Sequence, residues 1–122
     1  MLKIRSEQHQ ALREAYRELY VDRTSVYFRR NWAEECEKLD DDQLREMICD
    51  ARDRAETYDI DLEADVVRFT EVWLMLGADF DRSADYPWAA AVLSDEDTDG
   101  TIKVEQLAGA AVDVLDDKGD PA

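Results

Sequence analysis

The sequence predicts an all-α fold, a compact bundle of about five helices in a single domain. Three observations support this. Apolar residues recur at three- and four-residue spacing through most of the chain, and no stretch alternates apolar and polar residues as a half-buried strand does. Gly and Pro fall near the expected helix boundaries, apart from Gly109 inside the last helix. The chain is 45% hydrophobic although 38% of it is charged, which sets it apart from disordered sequences. Its 122 residues suffice for one core without staples. The domain is expected over residues 1–116, with 117–122 as a frayed, disordered tail.

The first helix is expected from an N-cap at Ser6 to about Arg30. Its apolar stripe reads Leu12, Ala15, Tyr16, Leu19, Val26 and Tyr27, and Arg23 falls in the middle of it. An Arg there snorkels or pairs with a carboxylate. The aromatics Tyr20, Tyr27, Phe28 and Trp32 exceed what one helix face needs, which leaves room for a dimer or a partner groove. A short helical segment follows over Trp32–Leu39. Asp40 with Gln43 forms a capping box that opens a second long helix, whose buried stripe is Leu44, Met47, Ile48, Ala51 and Ala55. Tyr58-Asp-Ile-Asp61 ends it.

A third helix is expected over Leu62–Leu76, with Glu63 and Asp65 in the first turn where the helix dipole favours them. Its end, Val72-Trp-Leu-Met-Leu76, is apolar on all sides, as in a central buried helix. Gly77 is its C-terminal cap. After an acidic loop over Ala78–Asp85, Pro87 sits at the first turn of a short helix through Leu93. The last helix is expected over Ile102–Leu115, with Val104, Leu107, Ala108, Ala111 and Leu115 on one side.

Fifteen basic and 31 acidic side chains give a net charge of −16, unevenly placed. Residues 1–57 hold 11 basic and 14 acidic side chains, whereas residues 58–122 hold 4 and 17. The second half repels nucleic acid and anionic membranes and attracts a basic protein surface or divalent cations. A solubility role accounts for the same charge. The longest apolar run, Val72–Ala78, is too short to span a bilayer. The N-terminus enters a charged helical pattern with no signal-peptide core, so a cytoplasmic protein is expected. The two cysteines, Cys36 and Cys49, are expected as reduced thiols, with Cys36 as a small core residue near Trp32 and Leu39.

The chemistry of an enzyme is not legible. His9, the one histidine, has no nucleophile or orienting partner near it in sequence. There is no phosphate loop, nucleophile elbow or pair of metal-binding histidines. We therefore read the chain as non-enzymatic, with no cofactor.

One stretch does resemble a binding motif. Asp95-Glu-Asp-Thr-Asp-Gly-Thr-Ile-Lys-Val-Glu-Gln106 nearly spells an EF-hand calcium loop, with Asp95, Asp97 and Asp99 at positions one, three and five. Gly100 stands at position six, where the chain turns sharply, and Ile102 at position eight. Candidate ligands are Asp95, Asp97, Asp99, Thr101 and Gln106. Lys103 at position nine has the wrong charge, and Gln106 replaces the bidentate Glu required at position twelve. A second hand is missing, because Asp79, Asp81 and Ser83 lead to Ala84 at its glycine position. Such a degenerate hand binds Ca²⁺ weakly, at about 10⁻⁴–10⁻³ M. The competing reading is a helix-capping turn in which Asp99 or a neighbour accepts from the first amides of the last helix.

Four further stretches carry a family likeness: Arg54-Ala-Glu-Thr-Tyr-Asp-Ile60, Asp65-Val-Val-Arg-Phe69, Leu76-Gly-Ala-Asp-Phe-Asp81 and Tyr86-Pro-Trp-Ala89. With Ile4-Arg-Ser-Glu-Gln-His-Gln10, the chain resembles small uncharacterised helical proteins of Gram-negative bacteria encoded near type VI secretion or effector genes. The resemblance carries no catalytic residues. It implies an accessory, adaptor, chaperone or immunity role, and it favours a capping turn at Asp95–Gln106. The expected function is thus an acidic interaction protein with a basic protein partner. A calcium module and an acidic nucleic-acid mimic are the alternatives.

Overall fold

The computed structural model describes residues 6–119, with side-chain burial through Asp116. Its described residues form six helices and no strand: α1 (Ser6–Asn31), α2 (Ala33–Cys36), α3 (Asp41–Thr57), α4 (Glu63–Leu76), α5 (Pro87–Leu93) and α6 (Gly100–Gly119). The chain divides into two compact units, residues 1–49 and 50–122, and the division falls inside α3.

In the first unit α1 packs on α2. The buried face of α1 is Tyr20, Val21, Thr24 and Phe28, which corrects the expected stripe. Leu12, Tyr16, Leu19, Val26 and Tyr27 are all exposed, as is Ala15. The helix has apolar residues on two faces, and periodicity alone chose the wrong one. Arg23 is exposed alongside the outer stripe. Arg29 closes the α2 segment: Nη1 donates to the Cys36 carbonyl at 2.7 Å, and Nη2 to the Leu39 carbonyl at 2.7 Å and Asp41 at 3.1 Å. The capping box forms as expected. The Gln43 amide donates to Asp40 Oδ1 at 2.8 Å, and the Asp40 amide to Gln43 Oε1 at 3.0 Å. Cys36 is buried, and neither it nor Cys49 is in a disulfide. Burial raises the Cys36 thiol pKa above its ordinary value, against the lowering effect of Arg29, so the thiol stays protonated and inert.

In the second unit α4 and α5 pack on α6. Phe69 lies in an aromatic cluster, its ring 5.4 Å from Phe80, 6.3 Å from Tyr58 and 6.5 Å from Trp73. Val72, Leu93, Val104, Leu107 and Ala111 are fully buried. Each large apolar side chain so buried contributes about 1.5–3 kcal/mol. Val104, Leu107 and Ala111 of the expected α6 stripe thus form its core face, with Ala108 and Leu115 half-buried.

Two helix ends are set by backbone of positive φ. Gly77 follows α4 at φ 104°, and its amide donates to the Trp73 carbonyl at 2.8 Å. Helix α3 ends in a Schellman motif with Asp59, at φ 61°, in the place usually taken by glycine. The Ile60 amide donates to Ala55 at 3.1 Å and the Asp59 amide to Glu56 at 3.1 Å. Pro87 opens α5. Helix α6 starts two residues earlier than expected and runs to Gly119, and the rest of the expected tail lies outside the described residues. Among those residues, no helix is long and apolar enough to cross a membrane.

Candidate functional site: an acidic corner and the Arg54 cluster

The EF-hand-like stretch begins as a turn after α5 and becomes helix at Gly100. Its carboxylates serve as local acceptors. Asp95 takes the Asp97 amide at 3.1 Å and the Thr98 hydroxyl at 2.6 Å. The Thr98 hydroxyl, then the Asp97 amide, holds the Asp95 carboxyl below its ordinary pKa. Asp99 caps α6: its Oδ1 accepts from the Thr101 amide at 2.7 Å and the Ile102 amide at 3.3 Å. That is the capping turn anticipated as the competing reading. Asp97 is exposed in the turn, and Gln106 is exposed on α6. Thr101 turns inward, its hydroxyl donating to the buried Asp65 at 2.6 Å. Among the described residues, no three carboxylate, imidazole or thiolate groups are placed to hold one metal ion.

The motif's two odd residues acquire structural roles. A Cβ on Gly100 would stand 2.7 Å from the Asp59 carbonyl oxygen and 3.3 Å from Ile60 Cα. The glycine thus lets the start of α6 approach the end of α3, rather than making a sharp loop turn. Lys103 is 3% exposed, and its ammonium donates to the Tyr58 carbonyl at 3.3 Å. A cation at a helix C-terminus is favourable both as a donor and against the dipole. Its charge, wrong for calcium, is right for the end of α3.

A second cluster was not apparent in the sequence. Asp81 is 2% exposed. Arg54 Nη1 donates to both of its oxygens at 2.9 Å, and the Tyr58 hydroxyl donates to Oδ2 at 2.5 Å. The Arg54 guanidinium lies 5.3 Å from the centre of the Trp73 ring, a cation–π geometry. Burial, then the neighbouring Asp81 carboxylate, pushes the Tyr58 phenol up to about 12. Arg54 and Asp81 are 27 residues apart, and only their distance in the fold marks them as a pair.

Arg54 and Trp73 line a groove of about 430 Å³, with Asp50, Asp53, Thr57 and Ala78 completing it. Asp81 already neutralises Arg54, whereas Asp50 and Asp53 are exposed. His9 is exposed on α1.

No protein-family model, curated protein or solved structure matches this chain.

Proposed function

We propose that this chain is a non-enzymatic interaction protein whose acidic second half docks a partner with a basic surface. The observation that carries this reading is the one-sided exposure of charge. Between residues 58 and 116, Asp59, Asp61, Glu63, Asp79, Asp85, Asp95, Glu96, Asp97, Asp99, Glu105, Asp113 and Asp116 are all exposed, against Arg68 and Arg82 as the exposed cations. Lys103 is buried, so its charge does not offset the surface. The resemblance to type VI-associated proteins supports an adaptor, chaperone or immunity partner of a secreted effector, working in the cytoplasm.

Such docking is electrostatic, so it weakens as salt shortens the screening length from about 30 Å at 0.01 M to about 8 Å at 0.15 M. A pull-down at low ionic strength, eluted with rising salt, tests it. A basic protein released by salt, and rebound poorly by the variant Asp95→Asn/Glu96→Gln/Asp97→Asn, supports the proposal. No partner retained at any salt concentration removes it. Calcium binding at the same turn is tested separately, by calorimetry with and without Asp97→Ala. Heat at millimolar Ca²⁺ that Asp97→Ala abolishes would replace the docking role of that turn with a metal role.

A further inference from the structure

The outer face of α1 leaves large apolar side chains unburied. Every residue from Ser6 to Tyr16 is exposed, about three turns of helix without packing, and an isolated helix that short is marginal in water. Leu12 is 48% exposed, Tyr16 63%, Leu19 55%, Val26 51% and Tyr27 37%. Leu12, Tyr16, Leu19, Arg23 and Val26 follow one another at spacings of four, three, four and three, the heptad seam of a helix that packs on another helix. The buried residues Tyr20, Val21, Thr24 and Phe28 lie on a different face, so the seam is a second apolar surface.

We propose that this seam is a homodimer interface, in which α1 of one copy packs antiparallel on α1 of a second copy, with Leu19 at the two-fold axis. Area supports a second copy as the occupant. Leu12, Tyr16, Leu19 and Val26 of the seam, with Tyr27 flanking it, are at about half exposure and offer on the order of 500 Å² of accessible surface. Doubled in a symmetric pair, this reaches the roughly 1,000 Å² at which specific interfaces begin. Charge sets the orientation. The two charges on the seam, Arg23 and Arg30, are both cationic and both lie toward the C-terminal end. A parallel pair stacks Arg23 on Arg23 and Arg30 on Arg30. The antiparallel pair about Leu19 moves the two Arg23 side chains about eight residues, or roughly 12 Å, apart along the helix. It sets each Arg23 against Tyr16 of the other copy, where the guanidinium covers an aromatic ring. Leu12 then faces Val26 of the other copy, and the helix dipoles oppose.

Light scattering coupled to size exclusion on the full chain reads the state directly. The expected mass is twice the 14.1 kDa of one chain. Leu19→Glu is expected to weaken association about a hundredfold or more and give the mass of one chain, with its helical circular dichroism retained because Leu19 is exposed. Cysteine pairs test the register in a Cys49→Ser background that does not itself cross-link. Leu19→Cys is expected to form a self-linked dimer on oxidation. Leu12→Cys alone should not, but should link to Val26→Cys when the two are mixed. A chain that stays monomeric at high micromolar concentration overturns the proposal. So does a dimer that survives Leu19→Glu, and so does self-linking by all three cysteine variants, the mark of a parallel pair.

Discussion

At the scale of single residues, the buried carboxylate of Asp81 is held by Arg54 and the Tyr58 hydroxyl. Its Arg54 partner is one-fifth exposed, so breaking the pair costs less than a fully buried one. Asp81→Asn should destabilise the fold by about 2–3 kcal/mol in chemical denaturation. Tyr58→Phe, which removes one hydrogen bond, should cost about 1 kcal/mol. Tyr58 also gives a pH signature. Its phenol has an ordinary value of 10.0 and is raised to about 12 in the fold. A raised pKa means the folded state holds the proton more tightly, so this contribution is complete below pH 10 and is lost as pH climbs toward 12. An ultraviolet titration should show a late-ionising component that is lost in Tyr58→Phe. None of this was legible beforehand, because Asp81 reads as one more acid in an acidic loop. Lys103 was legible only as a misfit, and its use became clear once the end of α3 lay beside it.

At the scale of elements, starts and stops were the most readable feature. The Asp40–Gln43 box, Pro87 and Gly77 act through the nearest turn of backbone, and each does what local stereochemistry dictates. The faces of α3 and α6 were readable for the same reason, since each has one dominant apolar stripe. Helix α1 was not, because it has two. Glycine substitutions separate local from tertiary effects on α6. Ala is ordinarily better than Gly in a helix, and a Cβ at Gly109 meets nothing within 4 Å. Gly109→Ala should therefore stabilise by about 0.5–1 kcal/mol. Gly100→Ala should do the opposite, by about 1–3 kcal/mol, because the new Cβ collides with backbone at Asp59. Paired thermal melts decide both signs. Asp99→Ala should cost about 1 kcal/mol through loss of the α6 cap.

For the whole molecule, a net charge of −16 opposes folding by self-repulsion. Raising sodium chloride from about 0.01 to 0.15 M should raise the melting temperature, while the same change weakens capture of a basic partner. These opposite responses separate screening of the chain against itself from screening at a docking surface. A melting temperature insensitive to salt would mean that the surface carboxylates are too dispersed to repel one another. The EF-hand-like ladder belongs at this scale too. Its acidity is shared with exposed carboxylates elsewhere between Asp59 and Asp116, and Asp95 and Asp99 already cap a turn and a helix.

By itself the sequence determined the helical class, the order of the helices, the boundaries at Asp40, Gly77 and Pro87 and the uneven charge, because these depend on neighbours within one or two turns of chain. Only the tertiary structure decided which face of α1 is buried, that Gly100 serves a close approach of α6 to the end of α3, and that Asp81 pairs with Arg54. Each of those depends on residues far apart in sequence, and nothing in the local pattern records which distant atoms will lie within 3 Å.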